Sequence, residues 1–299
     1  MTGLPLEVAG LTKEFGAVRA VDDLSFTVQP GVVTGFLGPN GAGKTTTLRC
    51  LLGLVRPTAG RALIGGRPYA ELDHPMRLVG AALEAADFHP GRSARSHLRF
   101  LAEASELPVS RVDTVLATVG MAEYADRRVG GFSLGMRQRL GLAQALIGDP
   151  GVLVLDEPAN GLDPAGIAWL RQFLRGLAAE GRTVLVSSHV LSEVQQTVDD
   201  VVVLSRGRLV TQGRLADLES GRRSVVVRTP EPDRLAAALR GERPDSDADV
   251  AGEVVTVHGW SSAEVGHLAF EARIELHELR GQGADLERMF LELTQEVPA

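Results

Sequence analysis

The chain has 299 residues, 44% of them hydrophobic and 23% charged, with a formal net charge of −7. That composition describes a globular protein with room for one large domain and a smaller one, and, a local basic patch aside, it excludes a whole-surface attraction to nucleic-acid phosphates. A single cysteine, Cys50, rules out an intramolecular disulfide, and no apolar run approaches the roughly 18 residues that cross a bilayer, so any work at a membrane falls to a partner.

Leu6 to Val28 predicts two β-rich stretches around Thr12-Lys13-Glu14-Phe15-Gly16, with apolar and polar residues alternating from Leu24 to Val28. Phe15, before a glycine turn, is either a core aromatic or a flat ring on which an adenine could stack, and spacing does not separate the two. The apolar run Val32 to Leu37 predicts a buried strand leading into Gly38-Pro39-Asn40-Gly41-Ala42-Gly43-Lys44-Thr45, which fits the phosphate-loop pattern G-x-x-x-x-G-K-[ST], and a helix from about Lys44 to Leu54. Converging backbone N–H groups need an approach to phosphate oxygens that side chains would block, hence the glycines, and the helix N-terminus adds partial positive charge. Lys44 is expected to reach the β- and γ-phosphates, Thr45 to offer its hydroxyl to Mg²⁺, and Thr46 to add a second hydroxyl.

Pro57 to Gly60 predicts a turn, Arg61 to Gly66 a short strand, and Met76 to Glu84 a buried strand followed by an irregular piece through Gly91. From Ser93 to Gly120 the apolar spacing becomes helical, and this interruption of a strand-helix alternation predicts an inserted helical subdomain over about residues 85–150. Ser133 is placed to cap the helix that runs on to Ile147, leaving amides free for an anion, and Gly148-Asp149-Pro150 stops it. Val152 to Leu155 is a fully apolar strand with Asp156 and Glu157 at its C-terminal end, where α/β sheets bind ligands. After a phosphate loop, Asp156 is the expected Mg²⁺-binding acid and Glu157 a second carboxylate able to orient water. Ala159 to Pro164 forms a tight loop before an amphipathic helix carrying Ile167, Leu170, Leu174 and Leu177. Thr183 to Ser188 predicts another buried strand, ending at His189, a position that on its own is more often structural than catalytic. Asp200 to Val210 predicts a hairpin turning at Arg206-Gly207.

Beyond residue 220 the alternation continues: a strand at Ser224 to Val227, a helix at Asp233 to Leu239, a strand at Glu253 to Val257, and a capping box of Ser261 and Glu264 opening a helix to about Ala272. A strand-like stretch from Ile274 to Leu279 and a final amphipathic helix on Leu286, Met289, Phe290 and Leu293 complete the expectation of a small α+β, ferredoxin-like module.

Taken in order, the phosphate loop, Phe132-Ser133-Leu134-Gly135-Met136-Arg137-Gln138-Arg139, Leu155-Asp156-Glu157-Pro158, Asn160-Gly161-Leu162-Asp163-Pro164 and Ser187-Ser188-His189 carry a resemblance. Over roughly residues 4–220 the chain resembles the ATP-binding subunit of ABC transporters, most of all subunits of two-component drug and antibiotic exporters of the daunorubicin and bacitracin type. The resemblance implies an α/β P-loop ATPase core over residues 1–220 with the helical subdomain inside it, and the accessory module over 221–299. It further implies that Phe15 stacks on adenine, that Gly38 to Thr46, including Asn40, Gly41 and Gly43, hold the phosphates, that Asp156 binds Mg²⁺ through water, that Glu157 is the general base, and that His189 contacts the γ-phosphate. Ser133 and Gly135 would bind the γ-phosphate of ATP held by a second copy, with Asp163 at the dimer seam, so that one chain holds two half-sites. Implied partners are that second copy and a separate integral-membrane permease on whose cytoplasmic side the subunit sits, with no nucleic acid.

Two departures stand out. Phe132, Leu134 and Met136 replace the usual first Leu, first Gly and Gln of the family signature, while Ser133 and Gly135 remain. Glu84 stands where the family usually has a glutamine that senses Mg²⁺ and the membrane partner. Either it supplies a metal-facing oxygen whose added charge Mg²⁺ offsets, or the alignment slips and it is a solvated loop acid. The rival reading, a soluble ABC-type ATPase acting on nucleic acid or ribosomes, typically brings two cassettes or a long coiled coil; here there is one cassette and no sustained heptad pattern.

Overall fold

The structure is a computed structural model and describes residues 2–83, 88–190, 195–220 and 224–282. Its contacts divide the chain into two compact units after Gln212.

In the first unit, β1 (Leu6–Phe15) pairs antiparallel with β2 (Val18–Val28) on one side and β4 (Ala59–Ile64) on the other. Leu24, Phe26 and Val28 are buried and Ser25 and Thr27 exposed, so the alternation read in the sequence sets which face of β2 meets the core. The turn is tighter than its composition suggests: pairing continues to Phe15 opposite Val18, and only Gly16 and Ala17 turn.

The second sheet has six strands: β3 (Val33–Leu37), β5 (Val79–Ala82), β6 (Val152–Asp156), β7 (Thr183–Ser188), β8 (Asp200–Ser205) and β9 (Arg208–Arg214), in the order β5-β6-β7-β3-β8-β9. The neighbours from β5 through β8 pair parallel. Strands β3, β6 and β7 are buried at every residue, as parallel strands covered on both faces must be, which is why they read as unbroken apolar runs. Their register sets Leu37 beside Ser188 and Asp156 beside Ser187, so the loops leaving all three emerge together at one sheet edge.

Helix α1 (Lys44–Leu51) follows β3 and ends before Leu54. The strand expected over Met76–Glu84 is in part a helical turn, α2 (Pro75–Leu78): Pro75 at the first helical position follows His74 in left-handed backbone, and pairing to β6 begins only at Val79. Glu84 lies outside the described residues. The strand expected over Arg61–Gly66 is β4, which starts earlier, at Ala59. The inserted helices are α3 (Ala94–Ala104), α4 (Arg111–Thr118) and α5 (Leu134–Leu146). Gly80 lets α5 lie directly on β5, since a Cβ there would come 2.0 Å from the Ala145 carbonyl oxygen. Helix α6 (Pro164–Ala179) buries Leu170, Leu174 and Leu177.

The second unit contains α7 (Leu215–Ser220), β10 (Ser224–Arg228), α8 (Pro232–Glu242), β11 (Ala248–Ala251), β12 (Val254–His258), α9 (Ser262–Glu271) and β13 (Glu278–Gln282). From β10 onward the order βαββαβ and the antiparallel sheet β11-β12-β10-β13 make a ferredoxin-like module with its own core, including Val225, Val227, Leu235, Leu239, Val255, Val257 and Trp260. Strand β11 has no counterpart in the sequence reading, because Asp249, Val250 and Ala251 are exposed and give no buried alternation. The strand expected from Ile274 begins at Glu278; Ile274 and Leu276 instead pack into the core. The helix expected on Leu286 to Leu293 lies outside the described residues.

Candidate active site

Residues 38–43 carry the chain from β3 to α1. Gly43 sits at φ 97°, and a Cβ there would come 2.4 Å from the Ala20 carbonyl oxygen, so both backbone and space exclude a side chain. As N-cap it supplies no side-chain acceptor, and the first amides of α1 are left for a ligand. Lys44, Thr45 and Thr46, which carry those amides, line an open pocket of about 320 Å³ together with residues 39–43, Ala20 and Glu157. Lys44 is 6% exposed, and its ammonium donates to the carbonyls of Gly38 at 2.7 Å and Pro39 at 3.4 Å.

Two carboxylates stand at the end of β6, of which Glu157 lines the pocket and Asp156 is bonded to its wall through Thr45. Asp156 is buried and accepts from the Thr45 hydroxyl at 2.7 Å through Oδ2 and from the Ser187 hydroxyl through Oδ1. Glu157, the next residue, adopts left-handed backbone at φ 50°, unusual for a side chain of this kind. Its N–H donates to Ser187 Oγ at 3.0 Å, its Oε1 lies 3.5 Å from Lys44 Nζ, and its Oε2 lies 2.9 Å from His189 Nδ1. The sheet register thus brings Asp156 and the segments that follow β3, β6 and β7, carrying Lys44, Thr45, Glu157 and His189, into one cluster. His189 takes part in this network through Glu157.

The hydroxyl of Thr45 and the carboxylate of Asp156 are hard oxygen donors already within hydrogen-bond reach, a donor set that suits Mg²⁺. Among the described residues no three His, Cys, Asp or Glu side chains gather as a metal cage. An ion bound here would take most of its shell from water and phosphate, the usual habit of Mg²⁺.

Ser133, Gly135 and Asp163 do not line this pocket. Ser133 caps α5, accepting from the Met136 N–H at 3.3 Å, and Asp163 caps α6, accepting from the Gly166 N–H at 2.8 Å. The two caps are packed together: Leu134 lies over Gly161, where a Cβ would meet its Cδ2 at 2.1 Å, and Gln138 donates to the Asn160 carbonyl at 3.3 Å. Leu134, which replaces a glycine of the family signature, is 48% exposed. Phe15 is 51% exposed, so it is not a core aromatic; Lys13 Nζ stands 4.7 Å from its ring, and the ring lies outside the phosphate pocket. The sequence reading passed over Ser187 and Gln138. A hydroxyl ending an otherwise apolar inner strand was the available signal, because a buried polar group needs a partner.

Residues 21–160 match the family described as ABC transporter, and residues 223–287 match one described as a domain of unknown function (DUF8746). Over 300 residues, 97% of both chains, the protein is 35% identical to the Nod factor export ATP-binding protein I of Burkholderia lata. It belongs to the ABC transporter ATP-binding family. This ABC subunit is also 42% identical over 210 residues to the bacitracin transport ATP-binding protein of Bacillus licheniformis, covering 69% of each chain. A solved ATP-binding subunit of an ABC transporter superposes with a TM-score of 0.65 at 29% identity, covering 72% of this chain and 91% of that one. The ABC subunit is an ATPase. No helix among its described residues is long and apolar enough to cross a membrane.

Proposed function

We propose that this ABC ATPase drives export of a small, drug-like molecule through a separate membrane permease, acting on its cytoplasmic face as a homodimer that closes on ATP. The observation that carries the reading is the bonded cluster of Lys44, Thr45, Asp156, Glu157 and His189, of which Lys44, Thr45 and Glu157 line the open pocket at the start of α1. Export follows the relatives named for Nod factor export and bacitracin transport.

Entering phosphates would take Lys44 from the Gly38 and Pro39 carbonyls and from Glu157, while the free amides of α1 bind their oxygens. Mg²⁺, held by Thr45 and Asp156, would supply neutralisation of charge on the β- and γ-phosphates. Glu157 would then turn from counter-ion to general base for the attacking water, with His189 holding its carboxylate from one ring nitrogen and facing the γ-phosphate with the other. Phe15, exposed at the end of β1, would stack on the adenine. Ser133 and Gly135, away from their own chain's pocket, would contact the γ-phosphate in the second copy, beside Asp163. Loss of the γ-phosphate removes that contact and the pair reopens, because ATP binds the closed dimer better than ADP does. On the helical lobe, Phe100 is 52% exposed with the Arg92 guanidinium 4.8 Å from its ring, an uncovered face for the permease.

Glu157→Gln is expected to lower ATP turnover by roughly 10²- to 10⁴-fold, the usual contribution of a positioned base, while ATP still binds and traps a dimer. Steady-state hydrolysis and size-exclusion chromatography with ATP read both. Turnover at the wild-type rate would remove Glu157 from the role given to it, and reconstitution with a co-purifying multi-span membrane protein tests the transport half.

A further inference from the structure

Strand β7 is apolar through Val184-Leu185-Val186 and then carries Ser187, which is 0% exposed and sits directly opposite Asp156. The other hydroxyls of this strand bond to backbone: Thr183 Oγ1 donates to the Leu4 carbonyl, and Ser188 Oγ bonds both N–H and carbonyl of Val190. Ser187 instead touches both acids of the site. Its proton goes to Asp156 Oδ1 and its lone pair accepts the N–H of Glu157. A left-handed non-glycine residue persists only where its surroundings hold it, and the bond to Ser187 is one such hold on Glu157.

We propose that Ser187 is a positioning residue for ATP hydrolysis, fixing the carboxylate plane of Asp156 and the backbone of Glu157 with one hydroxyl. The proposal rests on the metal-binding role of Asp156 and the base role of Glu157 given above. With Oδ1 committed to Ser187, Oδ2 is the oxygen that faces Thr45. With its N–H committed, Glu157 presents its carboxylate to Lys44 and His189 rather than to solvent. Removing the hydroxyl leaves one buried carboxylate oxygen and one peptide N–H without their partner, and both acids lose orientation together.

The test compares Ser187→Ala, Ser187→Thr and Ser187→Val in the full chain, the last two sharing a shape and differing in the hydroxyl. Ser187→Ala and Ser187→Val are expected to lower kcat by roughly 10- to 100-fold, the usual cost of losing a group that orients a metal ligand, with KM for ATP little changed. Nucleotide affinity measured in EDTA should stay at the wild-type value, while the gain on adding Mg²⁺ shrinks. Ser187→Thr should recover most of both. If Ser187→Ala does not fold, Ser187→Cys, close in size with a feeble donor, supplies the same comparison. Wild-type kcat in the hydroxyl-free variants overturns the proposal. So does a loss that follows the fall in melting temperature, lowers affinity in EDTA equally, and is not rescued by threonine. Glu157→Gln run in parallel separates the two readings: an inactive Glu157→Gln beside an active Ser187→Ala sinks only the role of Ser187, whereas an active Glu157→Gln sinks the role of Glu157 itself.

Discussion

Lys44 is one of only two lysines in the chain, and it is a buried cation that donates to two backbone carbonyls and pairs with Glu157. Its contacts with Gly38, Pro39 and Glu157 hold an ammonium that would otherwise pay a large desolvation cost. In the proposed site, incoming phosphate oxygens would take over from those partners, so binding would exchange contacts at the lysine rather than create them from nothing. Truncating it to Lys44→Ala removes the cation and leaves Glu157 beside the incoming phosphates with no charge between them. ATP affinity is expected to fall by roughly 10- to 100-fold, the worth of charged hydrogen bonds, in a titration with a fluorescent nucleotide. Affinity equal to the wild type would show that the backbone cradle alone holds the nucleotide. The identities of Lys44, Thr45, Asp156 and Glu157 were legible because each is tied to its motif by fixed local spacing. Ser187 was not, since its partners lie on a neighbouring strand and only the sheet register brings them together.

Strands β3, β6 and β7 announced themselves because both their faces are covered, helix α5 because Ser133 caps it, and helix α6 because its apolar residues recur at helical spacing. Elements whose burial is partial were harder to read. The apolar residues of Met76–Glu84 suggested one strand, yet Pro75 and His74 fold the first part into a helical turn. Strand β11 exists through its pairing with β12 and not through any pattern of its own. The α9 capping box was readable, and its electrostatics make a pH-dependent prediction. Glu264 accepts from the Ser261 N–H, then from the Ser261 hydroxyl, and pairs with Arg243, and these contacts hold its carboxyl at about 2 against an ordinary 4.5. Because folding lowers this pKa, the ionised carboxylate stabilises the module above about pH 4.5, progressively less as pH falls toward 2, and no longer below that. Glu264→Ala should therefore melt several degrees below the wild type near neutral pH, with the gap narrowing under acid. A gap independent of pH between 4.5 and 2 would show that the cap acts without its charge.

At the scale of the whole molecule, one feature of the geometry governs the rest: the residues expected to close on a γ-phosphate are split between two places. The pocket holds Lys44, Thr45 and Glu157, while Ser133 and Gly135 sit at the start of α5 outside it, packed against the loop that leads to Asp163. The start of α5, capped by Ser133 and with the exposed Leu134 beside it, is the surface that the proposed second copy would cover. The accessory module has its own core, which includes Val225, Leu235, Val255 and Trp260. Two identical chains facing one another would complete two sites at once, and neither chain alone would complete one.

The most direct measurement is ATP hydrolysis per subunit as a function of subunit concentration, with light scattering following the oligomeric state in the same solutions. The rate per subunit should rise with concentration in step with the fraction of dimer and fall toward zero where only monomers remain. A constant rate per subunit down into the monomeric range would contradict the shared site.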